Sequence, residues 1–233
     1  MLNYINERGY VKNNEMAILV DATIPTIIGD INHLESEKLV IKVYGGAKSI
    51  NSTGFNEYSD EEKVHLNSSQ KELIAKTAAE LVQNGELIFI DTGTTTNKML
   101  KHLVNKQITI VTNGYSNAKD LIELGIKFYI VGGEIRPQTR AIVGSLATDF
   151  IDNFSFDKAF IGANGVVDEK IYTTHVEEAI FKKKIIKCSH ETFVLADSSK
   201  INKSAPILID NLDKTTLITD GTPLDGVKKI IHV

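Results

Sequence analysis

Two different hydrophobic patterns divide the chain at about residue 67. In the N-terminal part, apolar residues recur at helical spacing at Ile27, Ile31 and Leu34, and they then alternate over residues 39–44. This pattern predicts short helices followed by a strand. From Ser68 onward, one helical segment is followed by strand-sized apolar runs that alternate with further helical segments. Such alternation predicts an α/β domain with a mostly parallel sheet that is covered by helices on both faces.

The N-terminal pattern has the order of elements of a winged helix-turn-helix. A first helix is predicted over residues 1–7, and Asn13 can cap a second. Thr23 is a good N-cap for a third helix, and Pro25 lies in its first turn, where a missing N–H group costs little. A strand follows and ends at Gly45, as in a hairpin. Residues 50–67 are polar and aperiodic, which is typical of a linker. The predicted domains are therefore a winged helix-turn-helix at 1–49, a linker at 50–67 and an α/β domain at 68–233.

The C-terminal part contains strand candidates whose ends are followed by small and polar residues. The predicted strands are 87–90, 108–111, 127–131, 158–161, 192–196 and 216–219, with an edge strand at 229–233. The polar segments are 91–96, 112–114, 132–134, 162–165 and 197–200. Because ligands of open parallel sheets bind beyond the C-terminal ends of the strands, these segments predict a polar cleft.

The segment after the first strand, with the sequence DTGTTT at 91–96, is the strongest candidate for a binding site. We expect it to open a helix that runs to Val104, so that free backbone N–H groups and threonine hydroxyls surround an anion. Gly93 is equally well explained as a turn glycine, and Asp91 as a helix cap. The three consecutive threonines, Thr94, Thr95 and Thr96, are harder to explain structurally, because threonine is a mediocre helix former.

Further candidates in the cleft are mostly charged residues. Lys200 follows Asp197 by three residues and could oppose a phosphate, although alone it would be an ordinary solvated lysine. Arg136 lies in the loop after Gly133 and could also reach an anion; a mobile surface arginine is the alternative. Glu177 and its neighbour share one helix with three consecutive lysines at 182–184, which favours surface ion pairing, although either glutamate could face the cleft.

Composition narrows the possible functions. The 233 residues are 42% hydrophobic and 24% charged, as in ordinary globular proteins, and the net charge is −4. A single cysteine and the lack of a long apolar stretch predict a cytoplasmic protein without membrane segments. The spacing of the six histidines predicts no metal site, and no motif for dinucleotides, nucleoside triphosphates or an esterase nucleophile is present. No cofactor is predicted.

The chain resembles the DeoR-type transcriptional regulators of bacterial sugar metabolism. The resemblance is carried by a set of ordered motifs and by the helix with the glutamate pair. These motifs are IDTGTTT at 90–96, IVTNG at 110–114, VGGEIR at 131–136, VGS at 143–145, FDKAFIGANGV at 156–166 and LADSSK at 195–200. The resemblance implies a sensor domain that is similar in fold to ribose-5-phosphate isomerase.

The resemblance also implies partners and site residues. A phosphorylated sugar would be bound by Asp91, Thr94, Thr95, Asn113, Asn164, Asp197 and Lys200. The loop pattern adds Gly93, Thr96, Gly133, Arg136 and Glu177. Operator DNA would be contacted by the recognition helix and the wing, through Thr23, Thr26, Ile27, Ile28, Lys42 and Tyr44. A homo-oligomer, either a dimer or a tetramer, is expected.

The predicted recognition helix departs from the family's pattern. Where that pattern has two arginines, this chain has Ile28 and Gly29. The first 50 residues also contain five cations and six anions, so that the head is not basic overall. Because phosphate contacts supply much of the affinity for DNA, nothing in this composition predicts strong binding.

Three hypotheses therefore stand. The first is a DNA-binding regulator, most simply a repressor of a sugar-utilisation operon, that responds to a phosphorylated sugar. The second is a family member with weakened DNA binding that serves as a metabolite-binding module. The third is an enzyme that acts on a sugar phosphate; it would need a positioned general base, and the attached DNA-binding head would then be unexplained.

Overall fold

The computed structural model describes residues 1–8, 10–50, 60–222, 226–227 and 229–233, with only the backbone of residues 60–62. The chain forms two compact units, Met1–His65 and Leu66–Val233. Half of the predicted linker, residues 51–59, lies outside the described residues. The remainder of that segment is not all irregular, since residues 60–65 are helical.

The first unit combines short helices with a small antiparallel sheet. The sheet order is β1-β3-β2, and apolar residues from each of these strands and from the first three helices form its core. The described elements are α1 (Leu2–Arg8), β1 (Tyr10–Lys12), α2 (Asn13–Leu19), α3 (Ile24–Ser36), β2 (Val40–Val43), β3 (Gly46–Ser49) and α4 (Asp60–His65). This is the predicted winged helix-turn-helix order, with β1 as an additional strand.

Helix α3 begins where the sequence predicts. The hydroxyl of Thr23 accepts a hydrogen bond from the Thr26 backbone N–H at 3.5 Å, and a proline stands in the first turn. Ile27 and Ile31 are buried one turn apart, as their helical spacing requires.

The second unit is an α/β domain built on a seven-stranded sheet of order β15-β14-β12-β9-β4-β5-β6, in which neighbouring strands are parallel. All seven strands occur where the sequence predicts them, with ends shifted by at most a few residues. Its described elements are α5 (Ser68–Glu80), β4 (Leu87–Ile90), α6 (Thr94–Asn97), β5 (Thr109–Thr112), α7 (Tyr115–Leu124), β6 (Phe128–Ile130), β7 (Glu134–Ile135), β8 (Ile142–Val143), α8 (Ser145–Ile151), β9 (Phe156–Gly162), β10 (Gly165–Val167), β11 (Lys170–Thr173), α9 (Val176–Lys187), β12 (Ser189–Leu195), β13 (Ile207–Asn211), β14 (Thr216–Thr219) and β15 (Ile230–His232).

Helices cover both faces of this sheet. Ile88 and Ile90 of β4 belong to the core that includes residues of α5 and α7, whereas Phe89 belongs to the core that includes residues of α8 and α9. Successive side chains of a strand point to opposite faces, so that one apolar strand contributes to two cores. The predicted α/β fold with a mostly parallel sheet is confirmed.

Two small sheets and one short helix differ from the sequence prediction. The hairpin β7–β8 and the antiparallel sheet β10-β11-β13 lie outside the predicted strands. The prediction that a helix runs to Val104 is wrong, because α6 ends at Asn97 and is followed by a 3₁₀ turn at Leu100–His102. A helix of four residues has too few aligned peptide groups for the predicted helix-dipole contribution.

Candidate functional site

The polar segments predicted from the sequence meet at one edge of the sheet. β4 pairs in parallel with β5 and β9, and β9 pairs in parallel with β12. The C-terminal ends of these four strands therefore lie side by side. The residues that follow them are Asp91, Asn113, Ala163 and Ala196–Asp197. This edge is the candidate site.

A buried ion pair lies at the centre of this edge. Asp91 is 0% exposed, and its Oδ2 lies 3.0 Å from Lys182 Nζ on α9. The same Oδ2 accepts the Gly162 backbone N–H at 3.0 Å, and Lys182 also donates to the Gly162 carbonyl oxygen at 2.8 Å. This arrangement ties the end of β4 to the end of β9 and to α9. Asp91 Oδ1 is buried and has no hydrogen-bond partner among the described residues.

The burial of Lys182 corrects the prediction of surface pairing along this helix. Its side chain is only 6% exposed, whereas the next residue, Lys183, is exposed. The sequence does contain a sign of this burial, because residues 178, 181, 182 and 185 follow the i, i+3, i+4, i+7 spacing of one helix face. The apolar members of that face, Phe181 and Ile185, are fully buried. The i, i+4 spacing of the glutamates and lysines favoured surface ion pairing for the charged members, although a glutamate could still face the cleft.

The three threonines after Asp91 have different roles. Thr96 is 0% exposed, and its hydroxyl donates to the backbone oxygens of Asp91 at 2.7 Å and Gly93 at 3.0 Å. Thr96 therefore shapes the loop, and this corrects its prediction as an effector contact. Thr94 is partly exposed and Thr95 is 9% exposed, so that both residues are more accessible than Thr96. Gly93 has φ of +145°, a conformation that favours glycine.

Asn113 supports this loop from the neighbouring strand. Its Oδ1 accepts the Thr92 backbone N–H at 3.0 Å, and its amide lies 3.4 Å from the Ile142 carbonyl oxygen. The side chain is 2% exposed. Its described contacts therefore support the loop, and its predicted contact with a ligand stays a prediction.

Residues 136–141 connect β7 to β8 and are called the strap below. The strap contacts the loop after β4, because the Thr92 hydroxyl donates to the Thr139 carbonyl oxygen at 3.1 Å. It also contacts the loop after β5, since the Tyr115 backbone N–H donates to the Arg140 oxygen at 3.1 Å. The hairpin is flanked by two glycines with positive φ, Gly133 at +152° and Gly144 at +98°.

Helix α9 holds the strap through two adjacent glutamates of different burial. Glu178 is 4% exposed and accepts the Thr139 hydroxyl at 2.9 Å, and it lies 3.5 Å from Arg136 Nε. The Glu177 side chain is 58% exposed and pairs with Arg136 Nη1 at 3.2 Å. Arg136 thus lies beside α9, where both glutamates contact it, and its role as an effector contact stays a prediction. The sequence left open which of the two glutamates faces the cleft, with Glu177 as the named candidate, and the structure shows that Glu178 is the buried one.

The remaining predicted residues lie on the loops after β9 and β12. Asn164 accepts the Thr173 hydroxyl at 3.0 Å. Asp197 is 2% exposed and accepts the Ser199 backbone N–H at 3.0 Å and the Asn67 amide at 2.9 Å, so that it caps its own turn. Lys200 is partly exposed in that turn.

Of the six residues of the first unit that were predicted to contact DNA, five are exposed and one is buried. Ile27 is 0% exposed and belongs to the core, which corrects its prediction as a DNA contact. The other five predicted residues, Thr23, Thr26, Ile28, Lys42 and Tyr44, are exposed. Lys42 donates to Asn32 at 2.6 Å, and the Tyr44 ring lies 4.6 Å from the His65 ring.

Two kinds of feature are absent from the described residues. They contain no group of three or more histidine, cysteine, aspartate or glutamate side chains arranged to hold a metal ion. Within the same ranges, no helix has the length and apolar character needed to cross a membrane.

Comparison with known proteins decides the family. Residues 66–221 match the DeoR C terminal sensor domain, and residues 1–53 match the DeoR-like helix-turn-helix domain. The chain belongs to the DeoR family. It is a DNA-binding transcriptional regulator of the DeoR type rather than an enzyme.

Individual relatives of this DeoR-type chain are similar over nearly their whole length. The lactose phosphotransferase system repressor of Staphylococcus epidermidis is 32% identical over 230 residues, which cover 97% of this chain and 92% of that protein. The uncharacterized HTH-type transcriptional regulator FruR of Bacillus subtilis is 35% identical over 221 residues, which cover 94% and 88%. Among solved structures, ribose 5-phosphate isomerase A from Methanocaldococcus jannaschii is 20% identical and covers 58% of this chain and 55% of its own, with a TM-score of 0.44.

Proposed function

We propose that this DeoR-type regulator represses a sugar-utilisation operon and that a phosphorylated sugar, bound at the polar edge of the seven-stranded sheet, controls the repression. The head would bind operator DNA as part of a dimer or tetramer in the cytoplasm. The named relatives include a lactose phosphotransferase system repressor, which supports a sugar operon as the target.

The observation that carries the proposal is the concentration of anion-binding groups at this edge. The chain contains three arginines, Arg8, Arg136 and Arg140, and two of them lie on the strap. The strap contacts the threonine loop after β4 through Thr92. Arginine presents a planar set of donors that suits a phosphate, and hydroxyls such as that of Thr94 can add to it.

The pairing of Arg136 gives a route from binding to a change in the protein. Arg136 now lies between Glu177 and Glu178 of α9, and an incoming phosphate would compete with these carboxylates for the guanidinium group. A shift of Arg136 toward the phosphate would weaken the connection between the strap and α9. An effector changes an equilibrium only through such a difference in contacts between two states.

The test is effector-dependent DNA binding by the full chain. We would measure binding to the DNA upstream of its own transcription unit by fluorescence anisotropy, with and without each member of a panel of sugar phosphates. At least one member should shift the affinity for DNA and raise the melting temperature, because it binds the folded state. Arg136→Lys, which keeps the charge but loses the planar donor set, should weaken this response, and Arg8→Lys should leave it unchanged. A panel that changes neither DNA binding nor melting temperature would contradict the proposal.

A second candidate function is a metabolite-binding protein whose DNA binding has weakened. The observation that favours it is the surface of α3, where Ile24 is 44% exposed and Ile28 is 36% exposed, next to the exposed Gly29. Placing arginine at positions 28 and 29 should then create affinity for DNA. If both arginines contact phosphates, the slope of log affinity against log salt should steepen by about 1.8. Equal affinities and slopes for the parent chain and this variant would exclude this candidate.

A further inference from the structure

One carboxylate oxygen at the candidate site has no hydrogen-bond donor among the described residues. Asp91 is 0% exposed, and its Oδ2 takes both described contacts, from Lys182 and from the Gly162 backbone N–H. Its Oδ1 is buried and accepts no hydrogen bond from the described residues. Buried polar atoms in folded proteins are nearly always hydrogen-bonded, and an unpaired carboxylate oxygen is costly. This atom is therefore an acceptor that a bound molecule can satisfy.

Lys182 determines which oxygen is left. Its ammonium group contacts Asp91 Oδ2 at 3.0 Å and the Gly162 carbonyl oxygen at 2.8 Å, and the Gly162 N–H contacts the same Oδ2. The carboxylate is thus fixed at one oxygen by two donors from β9 and α9. A buried ion pair with such additional hydrogen bonds has one defined geometry.

The chemistry of Asp91 selects the part of a ligand that it can contact. A phosphate group carries acceptor oxygens and negative charge, so that a second carboxylate oxygen repels it. A sugar hydroxyl donates a hydrogen bond and carries no charge, and a hydrogen bond to an ionised acceptor is stronger than one between neutral groups. The donor that suits Oδ1 in a sugar phosphate is therefore a hydroxyl.

We propose that Asp91 Oδ1 accepts a hydroxyl of the bound sugar and that Lys182 is the positioning residue that fixes this oxygen. This inference rests on the proposed function and deepens it, because it divides the site by chemistry. Asp91 recognises a hydroxyl of the sugar, while donors of the threonine loop and of the strap bind the phosphate. The pair then confers specificity for the configuration at one carbon of the sugar.

The test compares ligands that differ by single hydroxyls. With the full chain, isothermal titration calorimetry would measure the affinity for a panel of hexose and pentose phosphates, for monodeoxy analogues of the member that binds best, and for inorganic phosphate. The variants are Asp91→Asn, Lys182→Met and the double variant, which removes both charges together and so leaves no unpaired buried charge. Asp149→Asn and Lys183→Met are matched controls at exposed positions of the same unit.

We expect one deoxy analogue to bind the parent chain about ten- to a hundredfold more weakly than its hydroxylated counterpart, as for a lost hydrogen bond to a charged group. In Asp91→Asn and in the double variant this difference should shrink markedly, while the affinity for inorganic phosphate stays within about twofold and the controls match the parent. A purely structural role for Lys182 would not alter discrimination between the two sugars.

The other outcomes separate the two proposals. If sugar phosphates bind and the double variant discriminates between them as the parent does, the inference is overturned and the proposed function stands. An equal loss of affinity for sugar phosphate and inorganic phosphate would also overturn it, because Asp91 would then only shape the loop. Failure of every sugar phosphate to bind the parent chain would overturn both.

Discussion

Two neighbouring glutamates on α9 should differ greatly in their contribution to stability. Glu178 is 4% exposed and contacts the Thr139 hydroxyl and Arg136, whereas the Glu177 side chain is 58% exposed and contacts Arg136. Glu178→Ala would leave a buried hydroxyl and a largely buried guanidinium without their carboxylate. Removing one partner of a buried ion pair costs about 3–5 kcal/mol, whereas exposed pairs contribute about 0–1 kcal/mol.

The two alanine variants can be compared by urea unfolding followed by far-ultraviolet circular dichroism. Glu178→Ala should lower the free energy of unfolding by about 3 kcal/mol or more, and Glu177→Ala by less than about 1 kcal/mol. Glu178→Gln, which keeps an oxygen that can accept the Thr139 hydroxyl, should fall between them. Equal effects of the two alanine substitutions would refute the argument that burial, and not the contact with Arg136 itself, sets the contribution.

Three further predictions concern other parts of the chain. Gly29→Ala should raise the free energy of unfolding of the head by about 1 kcal/mol, because nothing lies within 4 Å of the added methyl group, whereas Gly133→Ala should destabilise the sensor, since φ is +152° and a backbone oxygen would lie 2.6 Å from that group. Thermal unfolding measures both effects, and equal shifts of the melting temperature would contradict this prediction. The hydrogen bond from Lys101 lowers the pKa of Glu72 below its ordinary value of 4.5, so that the stabilising contribution of Glu72 is present above pH 4.5 and is lost as the pH falls through the lowered pKa. Glu72→Gln should therefore reduce the loss of melting temperature at acid pH, and an unchanged dependence of the melting temperature on pH would argue against this prediction. Asn113→Ala should lower the free energy of unfolding by about 1–3 kcal/mol, because it leaves the buried backbone N–H group of Thr92 unpaired. A smaller decrease in urea unfolding would show that this N–H group finds another acceptor.

Local sequence patterns were sufficient for the seven strands of the main sheet and for the order of the helices in the head. Strand-sized apolar runs placed β4 and β14 at their observed bounds, and Thr23 with Pro25 marked the start of α3. These features depend on neighbours within a few residues, which a sequence displays directly. The hairpin β7–β8 escaped prediction because its two-residue strands are too short to show a period.

The candidate site was only partly predictable. The loops that follow the strands could be named, because parallel strands bring their C-terminal ends to one edge. The roles of residues within those loops could not be assigned in the same way. Thr96 binds backbone oxygens of its own loop, and Asn113 binds the Thr92 N–H group, a contact that exists only when β4 and β5 lie side by side.

The sequence by itself determined the α/β architecture, the winged helix-turn-helix head and the edge of the sheet at which polar residues gather. Only the tertiary structure decided which charged residues of α9 are buried. Glu178 and Lys182 are buried because partners from distant segments, Thr139 and Asp91, meet them there. Burying a charge is unfavourable unless a partner compensates it, and that partner is known only once the chain is folded.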